Sequence, residues 1–289
     1  MRFSSDFKSP AGSGFTLVEL SIVLVIIGLI TGGVLVGRDL ISAATVRSQI
    51  SQIEKYNAAV NTFRGKYGYL PGDMPDPYAS QYGFVARGLY AGEGDGNGVI
   101  EGVFTNAAGN NYGFIITAGE TSVFWMDLAA ANLIGGGSFN SSITGGPGAV
   151  LCTPGTCGIY FPSAKINSTN VAVMSTNNRN YFVLNWALVV GGNGNKLNPA
   201  LTTSQAYSVD QKIDDGLPQT GNVLAMRDPE GFWAAGPDYH GAGDPPGSQT
   251  PGTANTCYDN NNVLAAVEQY SVGQNNGGGI NCSLSIRFQ

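Results

Sequence analysis

From Phe15 to Val36 the chain reads FTLVELSIVLVIIGLITGGVLV, 22 positions without a Lys or Arg and with one acid, Glu19. The run has no polar face. As a helix rising ~1.5 Å per residue it spans about 33 Å, enough to cross the hydrocarbon of a bilayer. After Val36 the pattern turns amphipathic. Apolar residues recur at Ile50, Ile53, Tyr56, Val60, Phe63 and Tyr67 in steps of three and four, with Arg47, Gln52, Lys55, Asn57 and Arg64 on other faces. That spacing predicts one helix from Phe15 to about Tyr67 with a buried stripe in its second half. Gly65, Gly68 and Pro71 end it, and KYGYLPGDMPDPYASQYG, with three prolines and no periodicity, reads as a loop.

Two further helices are predicted. Glu120 to Ile134 places Val123, Trp125, Leu128 and Ala131 near helical spacing before Gly135 to Gly137, and Thr203 to Asp214 places Ala206, Val209 and Ile213 on one face before Gly216 and Pro218. Strand-like runs at Ile159 to Pro162, Val171 to Ser175, Tyr181 to Val190, Asn222 to Arg227 and Ser283 to Phe288 permit one antiparallel sheet. The expected class is α+β. It comprises a polar segment 1–14, a long amino-terminal helix 15–67 whose first half 15–36 is transmembrane, and a loop-rich head 68–289 on an antiparallel sheet.

Composition narrows the function. Net charge is −6, the pI is near 4.7 and 12% of residues are charged, so nothing draws the chain to nucleic acid. A hydrophobic share of 43% excludes wholesale disorder, while 42 glycines imply many turns. The four cysteines, Cys152, Cys157, Cys257 and Cys282, pair most simply as neighbours, one of three connectivities, and read as structural disulfides made outside the cytoplasm. With no CxxC and one histidine, a Cys/His zinc site is not available. That histidine, His240, lies in GPDYHGAGDPPG near Asp238 and Asp244, and no GxSxG elbow occurs, so a surface His outweighs a catalytic one and no enzyme is expected. Loop aromatics Tyr78, Tyr82, Tyr239 and Tyr258 leave sugar binding open.

One segment carries metal chemistry. In GEGDGNGVIE, Glu93, Asp95, Asn97, Val99 and Glu101 are candidate calcium ligands, with Gly98 and Ile100 placed as in an EF-hand-type loop. Phe104 stands where such a loop supplies its bidentate Glu, and a Gly-rich turn with solvated acids is the competing reading. Asp210, Asp214 and Asp215 read as a solvated helix end or a second cation site.

Glu19 is the remaining anomaly, because a carboxylate in hydrocarbon costs ~3 kcal/mol on insertion scales, so it either stays protonated and snorkels near the membrane edge or calls for a partner. Gly14-Phe15-Thr16-Leu17-Val18-Glu19-Leu20, followed by the apolar helix, resembles the prepilin signature of type IV pilins and type II secretion pseudopilins. The resemblance implies that a prepilin peptidase cuts after Gly14, making 1–14 a leader, and that Phe15 is N-methylated. It also makes Glu19 the assembly carboxylate, paired with the Phe15 ammonium of a neighbouring subunit. The implied partners are further copies in a helical filament, other pilins or pseudopilins and an inner-membrane assembly platform. The implied location is the cytoplasmic membrane with the head outside the cytoplasm, then an extracellular or periplasmic filament. KYGYLPGD resembles the connection after the helix in pseudopilins, and the 24 residues between Cys257 and Cys282 resemble the carboxy-terminal disulfide loop of pilins. A pilus subunit, a secretion pseudopilin and a minor tip pilin or adhesin all fit. Gly28 with Gly32 and Gly33 with Gly37 serve either close helix contact or local unwinding.

Overall fold

The structure is a computed structural model that describes residues 16–87, 94–100, 119–135, 139, 150–151, 157–167, 169–176, 178–187, 189–190, 197–226, 257–259, 267–273 and 277–288. The chain divides into two compact units, Met1–Ala44 and Thr45–Gln289. Helix α1 (Leu17–Tyr67) contributes to both.

In the first unit no other described residue packs on α1 between Leu17 and Val36. Every large apolar side chain from Leu17 to Val36 is at least 50% exposed. In the second unit the same helix is one-sided: Val46, Gln49, Ile53, Tyr56, Ala59, Val60 and Phe63 are buried. Ile53, Tyr56, Val60 and Phe63 are where the spacing put them, whereas Ile50 and Tyr67 are half-buried. Gln52 turns inward instead of to solvent, donating to the Ser163 carbonyl at 2.8 Å and to the Tyr56 hydroxyl at 2.9 Å. Gln49, fully buried, accepts from the Lys165 amide at 2.7 Å. These bonds satisfy polar groups along the helix seam that would otherwise be desolvated at a loss.

Three shorter helices are α2 (Tyr78–Gln81), α3 (Glu120–Ala130) and α4 (Thr203–Ile213). α3 stops before Gly135 because Asn132 takes a left-handed backbone, φ 57°, and the Leu133 amide closes on the Leu128 carbonyl at 3.0 Å. α4 starts on a capping box, Thr202 and Gln205 bonding reciprocally. The strands are β1 (Val150–Leu151), β2 (Asn170–Thr176), β3 (Arg179–Ala187), β4 (Val189–Val190), β5 (Leu197–Asn198), β6 (Leu201–Thr202), β7 (Val223–Met226), β8 (Tyr258–Asp259), β9 (Gln269–Tyr270) and β10 (Ile280–Arg287). The main sheet runs β2-β3-β10-β6, with β7 also on β10 and β5 also on β3, all antiparallel. Its central rows align Val173, Phe182, Ile286 and Val223, all buried.

Aromatic contacts join α1, α3 and the sheet. Tyr56 meets Trp125 edge-on at 4.9 Å, Trp125 stacks on Phe182 at 6.0 Å, and Phe182 stacks on Phe288 at 4.3 Å. α4 packs on β10, β6 and β7. The α+β class and the antiparallel sheet are as expected. Ile159 to Pro162 is not a strand: Cys157–Ile159 is a 3-10 turn, and only Ser163 makes an isolated bridge, to Asn170. Pro162 has no amide hydrogen to give a ladder; its carbonyl instead accepts from the Val171 amide at 2.9 Å. The run from Tyr181 to Val190 divides, because Val189 and Val190 leave the main sheet and pair with Leu151 and Val150.

Cys257 and Cys282 form a disulfide with Cα atoms 5.1 Å apart. It ties the start of β8 to β10, and the loop it closes contains the β8–β9 pairing, Tyr258 opposite Tyr270. The Tyr270 hydroxyl donates to Asp210 of α4 at 2.8 Å, so the loop is also anchored near its middle. Closing a loop of this size stabilises by ~3 kcal/mol on the chain-entropy account. Cys257→Ala with Cys282→Ala is expected to lower stability by about that amount, read as a fall in the urea midpoint against the oxidised wild type.

Candidate functional site

Two places gather the sequence-predicted site residues. The first is the start of α1. Gly14 and Phe15 lie outside the described residues; Thr16 and Glu19 do not. Glu19 Oε2 accepts from the Thr16 amide at 2.8 Å and from the Thr16 hydroxyl at 2.8 Å, and the Glu19 amide donates to Thr16 Oγ1 at 3.3 Å. With Leu17 as the first helical residue, this is a capping box, T-x-x-E, which satisfies amides left free at a helix start. The spacing Thr16-Leu17-Val18-Glu19 carried that signal, and the reading of Glu19 from charge alone passed over it. The helix beyond presents the exposed apolar surface described above, interrupted by Gly28, Gly32, Gly33 and Gly37, where an added Cβ would meet nothing within 4 Å.

The second place lies in the second unit, where the loop after α1, the 94–100 segment and the first turn of α3 meet. One carboxylate oxygen each from Asp73, Asp95 and Glu120 lies within 4.8 Å of the others. Asp73 and Glu120 are buried; Asp95 is exposed. Glu120 Oε1 accepts from the Gly94 amide at 2.9 Å and the Asp95 amide at 3.4 Å, and Asp73 Oδ2 accepts from the Gly98 amide at 3.0 Å. Asp73 Oδ1 is buried with no hydrogen-bond partner among the described residues. Burial, reinforced by the charge of Asp95 and opposed by the Gly98 amide, pushes the Asp73 carboxyl up to about 6.

The glycines let these segments approach. Gly94 has φ 65°, and a Cβ there would sit 2.6 Å from the Met74 carbonyl oxygen; at Gly72, φ 87°, a Cβ would sit 2.5 Å from the Glu120 carbonyl oxygen.

Of the five candidate calcium ligands, Asp95 joins this group. Asn97 turns back on Asp95, its amide and side-chain nitrogen each donating at 3.0 Å, and its own oxygen accepts from the Val99 amide at 2.6 Å. Glu93 and Glu101 lie outside the described residues. Asp73 and Glu120 were missed by sequence reasoning. Their only signals were a lone acid in LPGD and an acid opening a predicted helix, neither of which specifies a partner 22 or 25 residues from Asp95.

Beside this group is a buried ion pair. Arg87 Nη2 meets Asp127 Oδ2 at 2.5 Å, with both side chains 1% exposed, and the same oxygen accepts from the Gly72 amide at 2.7 Å. Arg87 Nη1 donates to the Val85 carbonyl at 2.7 Å. Burial pushes the Asp127 carboxyl up, against the pull of the Arg87 charge.

The acids of α4 and the turn after it have donors. Asp210 accepts from Tyr270 and from the Gly216 amide at 3.2 Å, Asp214 from the Asn222 and Val223 amides, and Asp215 from the Leu217 amide at 2.8 Å and the Thr220 hydroxyl at 2.5 Å. They hold the turn from α4 to β7. Of the loop aromatics, Tyr78 and Tyr82 are exposed, whereas Tyr258 is buried. Cys152, Tyr239 and His240 lie outside the described residues, and so does the Cys152–Cys157 pairing. No family model, no curated protein and no solved structure matches the chain.

Proposed function

We propose that the chain is a structural subunit of a type IV pilus-like filament, a non-enzymatic protein held in the cytoplasmic membrane by its first helix before assembly. One observation carries the reading: α1 exposes every large apolar side chain from Leu17 to Val36, with a single ionisable group, Glu19, in its first turn. A surface of that length is stable only in lipid or against other apolar helices, and a filament core of like helices supplies the second after the membrane has supplied the first. The Gly14-Phe15-Thr16-Leu17-Val18-Glu19 signature adds the processing step: prepilin peptidase cleaves after Gly14, and the methylated Phe15 ammonium meets Glu19 of a neighbour. Small residues at the cut are part of that reading. Gly14→Leu is therefore expected to leave uncut precursor in the membrane, seen by mass as a chain that retains residues 1–14. Normal processing of that variant contradicts the assignment of the cleavage site. A pseudopilin of a type II secretion system is the second reading, favoured by the KYGYLPGD segment.

A further inference from the structure

We propose that Asp73, Asp95 and Glu120 form a binding site for one hard divalent cation, Ca2+ by preference. The three acids come from three separate segments, and the fold brings one carboxylate oxygen of each within 4.8 Å of the others. Three oxygens spread evenly around a Ca2+ ion at ~2.3–2.6 Å are about 4.0–4.5 Å apart, close to the 4.8 Å limit within which these three lie, so small side-chain shifts bring all three onto one ion. Mg2+, at ~2.0–2.1 Å and with near-octahedral demands, tolerates a narrower spread and keeps more of its water. The donor set is oxygen only, which disfavours Zn2+ and Cu2+ relative to Ca2+.

A second feature points to a ligand independently of the clustering. Asp73 is 1% exposed, and its Oδ1 has no hydrogen-bond partner among the described residues. Buried polar atoms are nearly always satisfied, and an unpartnered oxygen on the buried member of three clustered acids is an acceptor that a bound cation would satisfy. The nearby cation does not fill that need, since the Arg87 guanidinium is held by Asp127 and the Val85 carbonyl. Exposed Asp95 leaves the group open to solvent on one side, so an ion has a way in.

A bound ion would pin the 94–100 segment to the loop after α1 and to the first turn of α3. Calcium is plentiful outside cells and scarce in the cytoplasm, so in the proposed filament subunit this bond would tighten only after export. The site does not depend on the filament reading, and its test is separate from any assembly assay.

Isothermal titration of the full chain in detergent with CaCl2, after treatment with EGTA, tests the site. One Ca2+ per chain is expected, with a dissociation constant below ~1 mM and weaker competition from MgCl2. Asp73→Asn and Glu120→Gln are each expected to weaken binding at least ten-fold. Because either variant can fold poorly, wild type is also melted with CaCl2 and with EGTA, and a higher Tm in CaCl2 is expected. Two results overturn the proposal. One is neither heat nor a Tm shift with the wild type. The other is Ca2+ binding that survives Asp73→Asn and Glu120→Gln in folded protein but is lost in Glu93→Gln or Glu101→Gln, which would assign the ion to the loop residues alone.

Discussion

Glu19→Gln is expected to yield a chain that is inserted, cleaved and folded but forms no filament. Glu19 has two separable properties, and this substitution divides them. Its side-chain oxygen closes the capping box with Thr16, and Gln performs that role as well as Glu does. In the proposed filament its charge is the property that a neighbouring Phe15 ammonium would require, and Gln lacks it. Each incoming subunit of the variant would bury an ammonium without a counter-charge, a loss of ~3–5 kcal/mol per contact that repeats along the fibre. Glu19→Ala removes cap and charge together and is expected to fail equally. Thr16→Val is the converse. It costs the helix start ~0.5–2 kcal/mol but keeps the charge, so filaments should still form. Processed monomer in membranes with nothing in sheared surface fractions is the expected outcome for Glu19→Gln. Filaments from Glu19→Gln, with none from Thr16→Val, would reduce Glu19 to a helix cap.

The second large effect is expected at Arg87. Arg87→Ala leaves the Asp127 side chain buried with the Gly72 amide as its remaining donor among the described residues. Breaking a buried pair on one side costs ~3–5 kcal/mol, because the remaining charge is uncompensated. The penalty should depend on pH in a defined direction. Burial already holds the Asp127 carboxyl above its ordinary value with Arg87 in place. Without Arg87 the protonated form is favoured further in the folded state, so stability is regained as pH falls through that raised folded value. Urea unfolding followed by tryptophan fluorescence should therefore show a larger gap from wild type at pH 7 than at pH 5. The double variant Arg87→Met with Asp127→Leu should recover much of the loss, since apolar residues of similar volume replace such pairs at little cost. A gap that does not change with pH would show that lost packing of the Arg87 stem, not the charge, is responsible.

Local patterns were legible in the sequence, and long-range pairings were not. The 22-residue apolar run and the three-and-four spacing through Phe63 gave α1 and its buried face, because both signals are periodic over many turns. α4 and the longer strands were likewise visible, being runs of five or more residues with turn residues at their ends. Two-residue strands such as β5 and β8 have no period to read. Ile159 to Pro162 has the composition of a strand, yet Pro162 cannot donate to a ladder. The Cys257–Cys282 pairing followed from neighbour spacing. The acidic group was one-third legible: Asp95 stood out in its Gly-rich loop, but Asp73 and Glu120 reach it through folding alone. Gln52 was placed on an outer face and instead bonds Ser163, and Gln49, which no pattern marked, bonds Lys165; both roles are set by a distant segment and not by their own neighbours in sequence.

Mass spectrometry of the amino-terminal peptide, taken from material sheared off the cell surface, tests the filament reading most directly. N-methyl-Phe15 as the first residue is the expected result. An intact Met1 in that material, or the absence of the chain from it while processed chain fills the membrane, would contradict a filament subunit cut at Gly14.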